Sequence, residues 1–280
     1  MLNLAGNDIC LHGSLLLSTA LSKGNGQDCK LQVLNMDGNP LGEEGGYALS
    51  ESLRTNGHLK EIDLSNTSIG INTLLSIADA LTHDNRSVEV VKVANPLLTT
   101  LEAEHVLYFA RMLACNPGIK ELDLRKHVIR DEAFDILLDF GVCRNSTLRT
   151  LNLSGCQLTQ GSASNIKRLL TENTSLAHLD LSKNPLTDEV APHIAAGLRA
   201  NKTLASINLQ SCKFTDKGLS ELAQAVFAPP RTLKGVNLWG NYFGQVSGGI
   251  FSKAMGTSPI VADFKTYEVD GSIHVAAVGT

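Results

Sequence analysis

The 280-residue sequence predicts an α/β solenoid of about nine strand–helix repeats, a horseshoe with a parallel sheet on its concave face and helices on its convex face. Three observations carry this expectation. One eleven-residue string recurs as LQVLNMDGNPL from Leu31, LKEIDLSNTSI from Leu59, IKELDLRKHVI from Ile119, LRTLNLSGCQL from Leu148, LAHLDLSKNPL from Leu176, LASINLQSCKF from Leu204 and LKGVNLWGNYF from Leu233. A weaker copy, VEVVKVANPLL, starts at Val88, and the chain opens partway through another, MLNLAGNDI. The spacing also holds, because the fourth positions (Leu2, Leu34, Ile62, Val91, Leu122, Leu151, Leu179, Ile207 and Val236) stand 28 to 32 residues apart throughout. Finally, the chain is 43% hydrophobic but only 5% aromatic, so Leu, Ile, Val and Ala fill the core, as stacked narrow layers require.

Within a repeat each element has its own cause. Positions four and six point inward while three, five and seven point outward, the two-residue alternation of a strand. The ninth position holds Asn7, Asn39, Asn184 and Asn241, whose amides can satisfy backbone groups where the chain leaves the strand; Cys156 and Cys212 hold it elsewhere. The second half carries apolar residues at helical spacing: Leu74, Leu75, Ala78 and Leu81, then Val106, Phe109, Ala110 and Leu113, then Leu219, Leu222, Ala223 and Val226. Strands ~4.8 Å apart and helices ~8–10 Å apart bend such a stack, with its helices outside. The 32-residue first interval reads as a flexible insertion around Gly24-Asn25-Gly26. In repeat four, Asn95-Pro96 and the consecutive Leu97 and Leu98 read as a wider loop tucked under its helix, in preference to a docking knob.

The two ends differ. Met1 and Leu2 enter directly on a strand with no capping segment ahead, so either residues are missing from this chain or something covers that edge. After Ala254 the repeat dissolves, and Asp270-Gly271 between the alternating segments 266–269 and 272–275 signals a two-residue hairpin. The expected organisation is a solenoid over 1–254 and a C-terminal hairpin cap over 255–280.

A period of 28 or 29 residues with Asn or Cys at position nine resembles the ribonuclease-inhibitor type of leucine-rich repeat, over nearly the whole chain. The resemblance implies a horseshoe with long outer helices. LWGNYF at Leu238–Phe243, followed by YEVDGSIHVAAV at Tyr267–Val278, resembles the C-terminal end of one branch of these proteins. That branch implies a non-enzymatic protein of ciliated and germ-line cells, in the cytoplasm or ciliary axoneme, with the nucleus as the alternative. Ran GTPase-activating proteins and ribonuclease inhibitor resemble the same repeat type, so a small-GTPase regulator and a cytosolic inhibitor stand as the other readings.

Composition removes several classes. A formal charge of −4 provides no basic stripe for a phosphate backbone, so no nucleic-acid partner is expected. No apolar run approaches the ~18 residues of a bilayer span, and no secretory leader precedes the repeats, which implies no membrane partner and an intracellular, reducing location. Cys10, Cys29, Cys115, Cys143, Cys156 and Cys212 form no CxxC pair and read as reduced, mostly buried thiols. Six Asn-x-Ser/Thr sequons, at Asn66, Asn85, Asn145, Asn152, Asn173 and Asn201, read as by-products of the repeat.

No candidate chemistry gathers support. Gly24-Asn25-Gly26 lacks the Gly-Lys-Ser/Thr that a phosphate cradle needs. His178, Asp180 and Ser206 imitate a triad in spacing, but they sit on an open wall without oxyanion donors. His127 reads as an imidazole bonded to turn backbone, and Glu102, Glu104 and His105 as a solvated first helical turn. No cofactor, metal or small-molecule substrate is implied, and the protein is expected not to be an enzyme.

Function is therefore expected on the concave face, against protein partners within a larger assembly. The expected contacts are Asp37, Glu61, Asp63, Lys92, Asp123, Arg125, Asp180, Gln210 and Trp239, a polar column of mixed charge. Trp239, the single Trp, fits two roles: an interface hot spot, or part of the cap with the hairpin folded over it. The pairing of LWGNYF with the tail favours the cap.

Overall fold

The computed structural model describes residues 1–22, 29–99, 103–228 and 232–278. Among them, strands and helices alternate as the period demands: β1 (Leu2–Asn3), α1 (Leu11–Leu21), β2 (Val33–Asn35), α2 (Gly42–Leu53), β3 (Glu61–Asp63), α3 (Ile71–His83), β4 (Val90–Lys92), α4 (Glu104–Cys115), β5 (Glu121–Asp123), α5 (Arg130–Phe140) and β6 (Thr150–Asn152). There follow α6 (Ala163–Glu172), β7 (His178–Asp180), α7 (Ala191–Ala200), β8 (Ser206–Asn208), α8 (Asp216–Val226), β9 (Gly235–Asn237), α9 (Gln245–Met255), β10 (Val261–Ala262), β11 (Phe264–Val269) and β12 (Ser272–Ala277). The fold is an α/β leucine-rich-repeat solenoid. The Gly24-Asn25-Gly26 segment and Glu102 lie outside the described residues.

The chain divides into two compact units, Met1–Ile129 with Ile136–Leu151, and Arg130–Asp135 with Asn152 onward. In the first, β1 to β5 pair in parallel in chain order, and the fourth positions stand in register, Leu2 with Leu34, Leu34 with Ile62, Ile62 with Val91 and Val91 with Leu122. In the second, β7, β8 and β9 repeat the pattern. A tenth strand that the period does not announce, β10, pairs with β9. In repeats two to five the inward positions four and six are sealed: Leu34, Met36, Ile62, Leu64, Val91, Val93, Leu122 and Leu124 have no exposed surface. Each such aliphatic side chain contributes roughly 1.5–3 kcal/mol by leaving water.

Position eight lies in the left-handed backbone region in all nine repeats, at Gly6, Gly38, Asn66, Asn95, Lys126, Gly155, Lys183, Ser211 and Gly240. That conformation is why Gly and Asn recur there. Some repeats also couple in pairs. Gly42, Arg130 and Thr187, again with positive φ, donate their backbone N–H to the position-nine carbonyl of the next repeat, at Thr67, Cys156 and Cys212. The acidic residue that follows then caps the next helical segment. Glu43 accepts from the N–H groups of Gly70, Asn72 and Thr73, Asp131 from Thr159, and Asp188 from Thr215.

The polar ladders explain much of the remaining composition. At position nine, Asn184 donates to Leu153 O and Leu181 O and accepts from Leu158 N–H, tying adjacent repeats; Asn39 and Asn241 act alike. A second asparagine set sits where the helices end. Asn85, Asn145 and Asn201 donate to Leu53 O, Leu113 O and Leu170 O and accept from the turn that follows. These three, with Asn173, are buried sequon asparagines, so their side chains serve the fold and present no glycan acceptor. The thiols depart from expectation: of the six, Cys156 and Cys212 alone are buried, while Cys10, Cys115 and Cys143 are exposed. Burial pushes the Cys212 thiol up to about 12. Leu97 also departs, because it is 62% exposed instead of tucked under its helix.

The chain ends on the antiparallel hairpin β11–β12, turned at Asp270 and Gly271, both with positive φ. An aromatic cluster seats it. Phe264 packs 4.8 Å from Phe243 and 5.0 Å from Phe251, ring centre to ring centre, with Phe227 beyond.

Candidate functional site

The outward strand positions form the candidate interface, and their first surprise is that position five is structurally committed. The side-chain Oδ1 of Asn3, Asn35, Asp63, Asp123, Asn152, Asp180 and Asn208 accepts the backbone N–H two residues on, at 2.8–3.1 Å. Asp and Asn make this turn more strongly than Ser or Thr, which accounts for the composition of the column. Repeat four breaks the rule with Lys92, and there Ser65 Oγ of the preceding repeat accepts the orphaned Ala94 N–H at 3.2 Å. In repeat nine, the Asp263 carboxylate takes the N–H groups of both Leu238 and Trp239 at 2.8 and 3.0 Å. For Leu238 it stands where the next strand's carbonyl would accept, since Leu209 N–H donates to Asn237 O one repeat earlier; for Trp239 it replaces the position-five side chain, since Gln210 N–H donates to Asn208 Oδ1.

The expected contact residues fall into separate groups. In the first compact unit, Lys92 Nζ donates to Glu61 at 2.7 Å and lies 3.9 Å from Glu121. Burial of Lys92 opposes its charge, but the hydrogen bond to Glu61 and the fields of Glu61, Glu121 and Asp63 win and raise its pKa. Asp123 is buried and is gripped by Arg125, whose Nε lies 2.8 Å from Oδ2. Burial nevertheless raises the Asp123 pKa, against the opposing pull of Arg125. Asp37 accepts from Asn66 Nδ2 at 2.7 Å. In the second unit, Asp180 accepts from Asn208 Nδ2 at 2.9 Å, and Gln210 Nε2 donates to Asp263 at 2.6 Å. Trp239 borders a groove of about 430 Å³ shared with Tyr242, Gln245, Ile273 and His274, and its side of the hairpin leaves it 40% exposed. The hairpin is seated by Phe264 and Asp263 and does not bury Trp239, which corrects the expectation that this ring is covered by the cap.

Other candidate chemistry resolves as follows. His178 Nδ1 and Ser206 Oγ lie 2.7 Å apart, but Asp180 is engaged with Ser182 N–H and Asn208, so the three make no relay. His127 bonds turn backbone as expected, with Nε2 2.8 Å from Val93 O. Its partner was not legible: His127 Nδ1 lies 3.1 Å from His105 Nε2, and both rings are fully buried. His105 therefore does not belong to a solvated turn, although Glu104 beside it is exposed. Since His127 Nε2–H donates to Val93, its Nδ1 must accept from His105 Nε2–H, and the buried His105 Nδ1 is left without a partner. Burial lowers His105 to about 4; burial and then repulsion from His105 lower His127 to about 3. Among the described residues no group of three or more His, Cys, Asp or Glu could hold a metal ion, and no helix is long and apolar enough to cross a membrane.

The geometry is that of leucine-rich repeats, with the polar strand positions facing outward. Comparison agrees: the family described as Leucine Rich repeat matches residues 27–50, 144–166, 172–189 and 200–223. Human NACHT, LRR and PYD domains-containing protein 12 is 30% identical over 175 residues, covering 61% of this chain and 16% of that protein. Human NACHT, LRR and PYD domains-containing protein 14 is 28% identical over 172 residues, covering 61% and 15%, and mouse protein 12 is 31% identical over 148 residues, covering 52% and 14%. The chain thus spans about one-sixth of the length of these curated relatives, 16% at most. Among solved structures, "Leiomodin-1 Actin-Binding Site 2 (ABS2)" matches with a TM-score of 0.42 and 19% identity, over 49% of this chain and 75% of that one. "Crystal structure of Rad7 and Elc1 complex in yeast" matches with a TM-score of 0.33 and 15% identity, over 88% and 81%. At these scores neither likeness carries an argument about this chain.

Proposed function

We propose that this chain is a non-enzymatic scaffold that binds protein partners through the outward positions of its strands. Trp239 is the observation that supports this most directly: a large amphipathic ring remains 40% exposed although a hairpin stands beside it, because other residues seat that hairpin. Such rings dominate interface energetics. The position-five ladder narrows the reading further. Asp123 and Asp180 have both oxygens engaged, one by their own backbone and the other by Arg125 or Asn208, so recognition falls to positions three and seven, to Lys92 with Glu61 and to Asp63.

The finer reading is a structural subunit of a larger assembly such as a ciliary axoneme, in the cytoplasm or, alternatively, the nucleus. It rests on the likeness of the LWGNYF segment and the YEVDGSIHVAAV tail to leucine-rich repeat-containing protein 34. Cross-linking mass spectrometry with the full chain in ciliated or germ-line material tests it, with axonemal neighbours as the expected outcome; recovery of chaperones alone would remove its support. With a partner so identified, Trp239→Ala is expected to weaken capture at least about tenfold while leaving the melting temperature unchanged. Unaltered capture would overturn the sheet-face reading. Ran loaded with GTP is expected to hydrolyse it at its intrinsic rate in the presence of the chain, and clear stimulation would turn the reading to a GTPase regulator. Tight capture of a basic protein ligand would turn it to an inhibitor.

A further inference from the structure

At the edge where the chain leaves β6 and β7, a groove of about 380 Å³ is lined by Arg130, Glu132, Gln157, Thr159, Lys183 and Pro185, all in the second compact unit. We propose that this groove binds an oxyanion carried by a polypeptide, a carboxylate or a phosphate, clamped between Arg130 and Lys183. The proposal rests on the scaffold reading above and adds the chemistry of a second contact, away from the strand face.

Unsatisfied charge is the first reason. Arg54, Lys60, Lys92, Lys120, Arg125 and Arg168 each hold a carboxylate; among the described residues Arg130 and Lys183 lie in no ion pair, nor do Lys126 and Lys213, but Arg130 and Lys183 line one groove together. Both are exposed. The neighbouring acid does not cancel them, because Asp131 accepts from Thr159 N–H and Oγ1 and from Ser162 Oγ, turned toward the next helical segment. Those bonds outweigh its partial burial and hold its carboxyl below the usual range. Glu132 on the rim is the one carboxylate left to compete.

Pre-organisation is the second. Arg130, Gln157 and Lys183 all lie in the left-handed region, with φ of 58°, 63° and 57°. At the position of Lys183, six other repeats use Gly or Asn, for which this backbone is cheap. A long cation rooted in strained backbone is the kind of feature found at binding sites. The roots are fixed as well: Arg130 N–H donates to Cys156 O at 3.0 Å and Lys183 N–H to Gln210 O at 2.8 Å, so little backbone ordering remains on binding. Gln157 touches Arg130 through Oε1 alone, at 3.5 Å, which leaves its NH₂ to donate, and Pro185 supplies an apolar wall. Because the scaffold reading makes the partner a protein, the anion arrives on a segment of polypeptide chain, and the volume has room for the side chains beside it.

Fluorescence anisotropy of the full chain tests this, with three fluorescein-labelled probes: an acetylated octaglutamate, a Gly-Ser octapeptide bearing one phosphoserine, and the same octapeptide unphosphorylated. At low salt, one or both anionic probes are expected to bind and the neutral one not to. Whichever anionic probe binds identifies the source, carboxylate or phosphate. The double variant R130Q/K183Q should weaken binding at least about tenfold, and E132Q should tighten it about two- to threefold. K60Q/K120Q, which disturbs only the cations around Glu89, should change nothing. Binding unaltered in R130Q/K183Q, or no binding of either anionic probe at ~1 mM by a chain with a normal melting curve, overturns the groove. A partner still lost on Trp239→Ala and retained by R130Q/K183Q, with neither probe bound, overturns the groove alone and leaves the scaffold reading standing.

Discussion

The first and last repeats solve the same problem differently. In repeat nine, the N–H groups of Leu238 and Trp239 find the Asp263 carboxylate, β10 supplies a further strand, and Phe264 enters the layer as a substitute for another repeat's aliphatic side chains. In repeat one, Leu2 and Leu4 are only half-buried, whereas their counterparts Leu34 and Met36 are sealed, and Leu15 and Leu16 of α1 stand exposed. A repeat in this chain is complete only when a neighbour accepts its backbone and covers its apolar layer. The C-terminal end imitates that neighbour with one carboxylate and one phenyl ring.

The largest test of the comparison removes the ring. Phe264→Ala takes out a side chain that is 1% exposed and touches both Phe243 and Phe251, and is expected to cost about 3–5 kcal/mol. Chemical denaturation checks it. A cost below about 1 kcal/mol would show that β11–β12 hangs on the last repeat without closing it.

The junction of repeats four and five is an interior control that is vulnerable to acid, because His105 of α4 meets His127 there. As pH falls below about 6.5, unfolded imidazoles take up protons that the folded rings, lowered to about 4 and about 3, refuse. The stability that the neutral His105–His127 pair allows is therefore complete above pH 6.5 and drains away toward pH 4, by roughly 3 kcal/mol or more. His127→Asn restores the ladder residue used at Asn39 and Asn184, and His105→Leu removes the unpartnered Nδ1; the double variant is expected to flatten the melting temperature between pH 6.5 and 4. An unchanged slope would place the acid sensitivity elsewhere.

How much of this the sequence disclosed follows from the range of each interaction. The inward positions, such as Leu34 and Ile62, were legible because strand alternation is local and the period repeats it. The amide role of Asn184 was legible for the same reason. The polar column was visible as composition, but its cause was not, because a turn that closes from Asp180 to Ser182 N–H looks in sequence like a solvated surface. The helix-end asparagines were hidden by coincidence, since Asn85-Arg-Ser and Asn145-Ser-Thr read first as sequons. Nothing local joins His105 to His127, or Asp263 to Leu238, because each pair is made by the stacking itself.

Asp263→Ala is the next smaller test. It strands the N–H groups of Leu238 and Trp239 and the amide of Gln210, and is expected to cost about 2–3 kcal/mol. Asp263→Asn keeps one acceptor oxygen and should cost less than half as much. Equal losses in the two variants would mean that the charge of Asp263 matters more than its place at the end of the sheet, and the analogy with a neighbouring strand would fail.

The smallest effect is expected at the other end. Leu64→Ala, in a sealed position of repeat three, should cost about 2–5 kcal/mol, whereas Leu4→Ala, in the same position of repeat one, should cost about 1 kcal/mol or less because its surface is already half in water. The comparison sharpens if a consensus repeat is fused ahead of Met1. The added strand and helix should pair with β1 and cover Leu2, Leu4 and Leu15, and the cost of Leu4→Ala should then rise toward that of Leu64→Ala. If it stays near 1 kcal/mol while the fused repeat folds, completion by a neighbour is not what sets the energy of a repeat, and the closed C-terminal end owes its stability to the aromatic cluster alone.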